Sequence, residues 1–222
     1  MISSPLPKIL FVASALVSAS SAHAVVFGGI DFPDGAISFA DSLVSYAPNF
    51  GGGNVPTDPN YTNPVQAIGA PDYNGTTGSV SLGAGGRIVL QFTDNFLTGS
   101  NSVANDLHIF EVGPQIEDTV VEISKDGQMW FGVGTVTGAT SSINIDAFGF
   151  TSADLFSYVR LTDVLALDGT TGTTVGADID AVGAITTIVR PPSTNVPDSG
   201  FTLMLAAISI LGIMGLRRRL SA

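Results

Sequence analysis

Residues 106–112 read Asp-Leu-His-Ile-Phe-Glu-Val. In an extended chain Leu107, Ile109 and Glu111 share one face, and His108, Phe110 and Val112 share the other, because side chains alternate along a strand. Runs of the same kind recur on both sides: Ala36–Tyr46, Arg87–Phe92, Thr119–Ser124, Trp130–Thr137, Ser142–Ile145, Tyr158–Thr162 and Ala177–Thr187. Clusters of Gly, Asn, Asp and Pro separate them, as turns require. A short helix is expected over Thr151–Phe156, capped by Thr151 or Ser152; elsewhere helical periodicity does not outlast about two turns. About eight strands in about 165 residues predict an all-β fold, a single jelly-roll β-sandwich. No internal repeat supports a propeller or solenoid.

The chain has 222 residues, with 8 Lys+Arg against 19 Asp+Glu and a formal charge of -11. This acidity excludes nucleic acid as a partner. The absence of Cys excludes a disulfide scaffold, a thiolate zinc site and a cysteine nucleophile. Only 12% of residues are charged, too few for a disordered acidic chain.

Much of the apolar content sits at the two ends. Lys8, the apolar run Ile9–Val17 and the small-residue pattern Ala22-His23-Ala24 predict a signal peptide over 1–24, cut by signal peptidase after Ala24. At the other end Gly200–Leu216 is uncharged and long enough for a transmembrane helix. Arg217, Arg218 and Arg219 follow and set its topology, with that end cytoplasmic. Pro191 and Pro192 make 191–195 a linker. The domain between, 25–190, holds 4 basic residues against 18 acidic ones, near -14.

Val196-Pro197-Asp198-Ser199-Gly200 stands directly before the apolar run, so 196–222 forms one tripartite tail. This tail resembles the VPDSG-type PEP-CTERM sorting signals of Gram-negative bacteria. The resemblance implies recognition by an exosortase, transient insertion in the inner membrane, and delivery to the cell envelope, cell surface or extracellular matrix.

A second resemblance rests on Ala-Ile-Gly-Ala-Pro-Asp at 67–72, the run 81–92, Asp-Leu-His-Ile-Phe-Glu-Val at 106–112, Tyr-Val-Arg-Leu-Thr-Asp at 158–163 and Gly-Ala-Asp-Ile-Asp-Ala-Val at 176–182. In this order they are similar to secreted discoidin-like, galactose-binding-like jelly rolls. That family implies carbohydrate binding and a structural calcium ion.

Candidate chemistry is sparse. Asp178 and Asp180, two apart in a strand, put two carboxylates on one face, and hard oxygens of this kind suit Ca²⁺. The family's calcium position, where a loop near the first strand meets the last, adds Asp41 as third ligand. The alternative is a solvated strand face. Glu111, in line with apolar residues, is expected to pair with Arg160 or Arg87, with a ligand or a raised-pKa acid as the alternative. His108 alone makes neither a zinc site nor a triad. Trp130 after the Asp126-Gly127 turn is expected in the core, with sugar stacking as the alternative. The long Gly-, Asn- and Pro-rich segment 47–79 lacks the helix and Lys of a phosphate loop. Within or beside it, Tyr46, Tyr61 and Tyr73 are the candidate glycan contacts. These features predict an exported, non-enzymatic protein with an adhesive or glycan-binding role. The alternatives are a polysaccharide-acting hydrolase and a purely structural matrix component.

Overall fold

The computed structural model describes residues 24–113, 117–138, 141–165 and 171–191. The leader up to and including Ala22, the signature Val196–Gly200, the apolar run to Leu216 and Arg217–Arg219 lie outside them. One compact unit ends at Val189 and a second begins at Arg190.

The described residues form antiparallel strands and short 3-10 turns, with no α-helix. The strands are β1 (Val25–Phe27), β2 (Ile30–Phe32), β3 (Ser42–Ala47), β4 (Val80–Ser81), β5 (Arg87–Gln91), β6 (Asn95–Leu97), β7 (Leu107–Glu111), β8 (Asp118–Ser124), β9 (Phe131–Thr137), β10 (Ser141–Ile143), β11 (Tyr158–Asp163), β12 (Asp178–Ala184) and β13 (Thr187–Val189). One sheet runs β10-β7-β12-β4 and the other β3-β5-β11-β8-β9. β1 with β2 and β6 with β13 form two small ribbons.

Alternation explains why the two larger sheets stack. Leu107 and Ile109 of β7, with Ile179 and Val182 of β12, share one core cluster with Ile88 and Leu90 of β5 and Val159 and Leu161 of β11. Each of these side chains is at most 1% exposed. The result is a β-sandwich whose inner faces are apolar.

A second, smaller core lies around Phe32, Phe39, Phe110 and Ala181. Phe27, from the hairpin β1–β2, joins these rings, 5.1 Å from Phe39 and 6.1 Å from Phe32. The hairpin turns on Gly28 and Gly29, whose φ values of +55° and +84° suit glycine.

Several expectations change. The run Ala36–Tyr46 is not one strand, because Gly35–Ser38 is a 3-10 turn and β3 starts at Ser42. Ala177–Thr187 is two strands, with β13 leaving to pair with β6. No helix forms over Thr151–Phe156. Asp154 instead accepts hydrogen bonds from the Thr151 amide at 3.0 Å and hydroxyl at 3.1 Å, and Phe156 bridges to Leu97.

Candidate functional site: a tyrosine–carboxylate cluster at the sheet edge

The long segment before β4 is built by two Asx-Pro steps. Asp58 accepts a hydrogen bond from the Asn60 amide at 3.0 Å, and Pro59 opens the 3-10 turn Pro59–Tyr61. Asn63 and Pro64 do the same for Pro64–Ala67. An Asp or Asn cap followed by Pro uses the position where an amide would be unpaired. Ala67 is fully buried, and the Gly69 amide bonds to the Ala40 carbonyl at 2.8 Å. The segment is thereby tied to the sandwich beside β4 and β12.

Here the fold gathers five residues that sequence reading nominated separately. Tyr46 lies opposite Ile88, packs against the core, and donates its hydroxyl to the Ser81 carbonyl at 2.6 Å. The Ser81 hydroxyl donates to Asp178 Oδ1, its cross-strand neighbour. Asp180 Oδ1 accepts from the Asp72 amide at 3.0 Å, and the Tyr73 amide also bonds this carboxylate. The hydroxyls of Tyr61 and Tyr73 share a hydrogen bond of 3.1 Å. Gly78 permits the chain to turn so closely here. Its φ is +102°, and a Cβ would stand 2.7 Å from the Tyr73 Cα.

The electrostatics are those of a crowded acidic edge. Burial lifts Asp178 to about 6, against the hydrogen bond from Ser81. Burial also lifts Asp180 to about 6. Burial, then the charge of Asp178, pushes Tyr46 up to about 12. Tyr61 is also raised to about 12, first by its bond to Tyr73, then by burial and neighbouring charges including Asp178. Both phenols therefore stay protonated at neutral pH. Half-buried rings with paired hydroxyls beside carboxylates offer an apolar face and alternating donors and acceptors, the chemistry that matches a polyol.

Asp41 does not join the cluster. Its carboxylate accepts from the Thr93 amide at 3.0 Å and from the Thr93 hydroxyl at 2.7 Å. Among the described residues, no three His, Cys, Asp or Glu side chains are grouped to hold a metal ion. Asp41, Asp178 and Asp180 thus do not converge as one group of three ligands.

The other nominated side chains have structural partners. Arg160 forks Glu122, not Glu111, at 2.6 and 2.7 Å. Arg87 bonds Thr162 at 2.9 Å. Glu111 is 4% exposed with Oε1 unpartnered, and its charged neighbours are Asp178, Asp163 and Asp118. Both arginines belong to the outward rows of β5 and β11, whereas Glu111 faces inward from β7. Trp130 is not in the core. It lies outside the five-stranded sheet, with the Arg160 Cζ 4.1 Å from its ring centroid. His108 is buried and bonds Ser142 at 2.5 Å; burial lowers it to about 4. Asp106 is fully buried, accepting from the Ile145 amide at 3.0 Å and the Thr186 hydroxyl at 2.7 Å. Ser81 and Asp72 were missed by sequence reading. β4 is only two residues long, and no periodic signal marks so short a strand.

Residues 195–220 match the VPDSG-CTERM motif family. No curated protein matches the chain. Among solved structures, the chain is similar to the C-terminal domain of a chitobiase from Bacteroides fragilis. Identity is 17%, with 70% of this chain and 97% of that chain covered, at a TM-score of 0.41.

Proposed function

We propose that this chain is an exported, exosortase-processed surface or matrix protein whose jelly-roll domain binds glycan without catalysis. The matched tail supports the sorting half of this reading. The observation that carries the binding half is the Tyr61–Tyr73 pair, held at 3.1 Å beside Asp178. Signal peptidase removes the leader, the apolar tail holds the chain in the inner membrane, and exosortase acts on the signature. The domain then contacts exopolysaccharide or another glycan through the half-buried rings and their hydroxyls.

A hydrolase would need two carboxyl groups across a cleft with separated pKa values. The most perturbed carboxyl with a stated value is Glu111, raised to about 7, and it lies inside the sandwich. A carboxyl so enclosed is out of reach of a substrate.

The test is retention of the purified full chain, in mild detergent, on a panel of immobilised polysaccharides that includes the producing cell's own exopolysaccharide. Tyr61→Ala and Tyr73→Ala should each weaken retention about tenfold, the loss expected for an aromatic anchor. Wild-type retention on no glycan would leave the purely structural component as the correct class. Unchanged retention of both variants would remove these tyrosines from the site.

A further inference from the structure

The turn between Tyr73 and Gly78 carries chemistry of its own. Asn74 is the one asparagine in the chain that is followed by glycine. The turn asks for this pair. Asn74 Oδ1 accepts from the Thr76 and Thr77 amides, each at 3.1 Å, and Gly75 takes a φ of +94°. The Asn74 backbone amide closes the loop onto the Thr77 carbonyl at 3.1 Å, and Nδ2 donates to Thr77 Oγ1 at 2.9 Å.

Three features favour attack of the Gly75 nitrogen on the Asn74 side-chain carbon. The two amides on Oδ1 draw electron density from that carbon and stabilise the oxyanion of a tetrahedral intermediate. The Gly75 N–H makes no hydrogen bond among the described residues, so no acceptor holds its proton. Both residues are exposed, and a Cβ on Gly75 would meet nothing within 4 Å, so no side chain screens the nitrogen from solvent base. Other asparagines lack this combination. Asn144 also accepts an amide, from Asp146 at 2.9 Å, but the nitrogen after it belongs to Ile145 and is bonded to Asp106 at 3.0 Å. Asn63 precedes Pro64, which has no N–H.

We propose that Asn74 is a self-modification site that ages the tyrosine edge. The Gly75 nitrogen bonds to Asn74 Cγ, the Cγ–Nδ2 bond breaks, and the displaced nitrogen leaves as ammonia with the Gly75 proton. The succinimide so formed takes up water at either carbonyl, giving aspartate or isoaspartate at position 74. Solvent water is the only co-reactant, and no electrons are exchanged. Either product places a new negative charge close in sequence to Asp72 and removes the donor to Thr77 Oγ1.

Isoaspartate does more, because the main chain then runs through the former side chain and gains one carbon before Gly75. The turn has no slack to absorb it. A Cβ on Gly78 would stand 2.7 Å from the Tyr73 Cα and 2.9 Å from its nitrogen, so the two ends of the turn are already in contact. The residue displaced is Tyr73, whose hydroxyl meets Tyr61 and whose amide bonds Asp180. The modification follows from the turn alone, while its effect on ligand rests on the glycan-binding reading.

The experiment stores the purified full chain, in mild detergent, for weeks at pH 8 and at pH 5. Peptide mapping by mass spectrometry then separates asparagine, aspartate and isoaspartate at each site. Conversion should appear at Asn74 well ahead of Asn101 and Asn144, and faster at pH 8, where the attacking nitrogen loses its proton more readily. The amide shifts of Tyr73 and Asp180 should move as isoaspartate accumulates. Stored protein should lose retention on the glycan panel about tenfold, the loss expected of Tyr73→Ala. Asn74→Ser keeps an oxygen for the turn but has no carbonyl to attack, and it should hold its spectrum and its retention through storage. Intact Asn74 after storage at pH 8, or conversion at Asn101 and Asn144 at the same rate, overturns the site. Conversion with the Tyr73 and Asp180 amides unmoved overturns its link to the tyrosine edge. Fresh wild type that binds no glycan removes the glycan-binding reading alone, and the mass and shift measurements still decide for or against modification.

Discussion

At pH 8 the Glu111→Gln variant should melt about 5–10 °C above the wild type, and at pH 5 the two should melt together. Glu111 faces into the sandwich from β7, 4% exposed, with one oxygen unpartnered. Burial, then the charges of Asp178, Asp163 and Asp118, raises it to about 7 from a usual 4.5. That difference corresponds to about 3 kcal/mol held against the ionised form. A folded-state pKa above the unfolded value means that the native state keeps its proton longer. The associated stability is fully present below the unfolded pKa and is lost as pH rises through the folded one. Asp178 and Asp180, both about 6, act in the same direction. His108, lowered to about 4, acts oppositely, since the unfolded chain takes up a proton there before the native state does. Three carboxyls against one imidazole leave the native state binding roughly 1 to 1.5 extra protons between pH 4.5 and 6. Wild-type stability should therefore fall from pH 5 to pH 8, and scanning calorimetry across that range checks it. A rise over the same interval would mean that these carboxyls are paired or hydrated after all.

Phe39→Ala should destabilise the domain by about 3–5 kcal/mol, the range for a buried aromatic whose site cannot collapse. Phe39 is 1% exposed and lies 4.6 Å from Phe32, 5.1 Å from Phe27 and 6.0 Å from Phe110. These rings fix the hairpin β1–β2 to the outer face of the four-stranded sheet. Gly183 makes room for them. A Cβ there would stand 2.5 Å from Phe32 Cε1 and 2.9 Å from Phe39 Cε1. Urea denaturation should show a lower midpoint with little change in slope, because the surface exposed on unfolding is nearly the same. Limited proteolysis should release the hairpin before the rest. A midpoint equal to the wild type would show that the hairpin does not depend on this core.

The central strands were legible because their alternation is complete and their ends carry turn residues. β5, β8 and β11 lie where Arg87–Phe92, Thr119–Ser124 and Tyr158–Thr162 were read, within one residue at each end. Legibility failed where pairing partners, not local pattern, set the structure. β4 exists because Ser81 meets Asp178 across the sheet. The period-2 argument for β12 breaks at a register shift between Ile179 and Ala181. As a result Ile179 and Val182, three apart, return to the same core, while Ala181 joins the phenylalanine cluster. Trp130 is expected in the core as a single large aromatic after the Asp126-Gly127 turn, but it precedes β9 and meets Arg160 on the outward face. Glu111 is expected to pair with an arginine as a buried charge in line with apolar residues, but strand parity sends it inward and both arginines outward, and its raised pKa fits the alternative of an unpaired acid. The convergence of Tyr61, Tyr73, Asp178 and Asp180 joins residues more than 100 positions apart, as in the bond from the Asp72 amide to Asp180. No local pattern encodes that distance.

We propose that glycan binds at the tyrosine–carboxylate edge. The most direct test is an amide chemical-shift titration of the chain with whichever oligosaccharide the panel retains. The largest saturable shifts should fall on Tyr61, Asp72, Tyr73 and Ser81, and should vanish in Tyr61→Ala while the remaining spectrum is preserved. Saturable shifts confined to another surface, with these four amides unmoved, would contradict it.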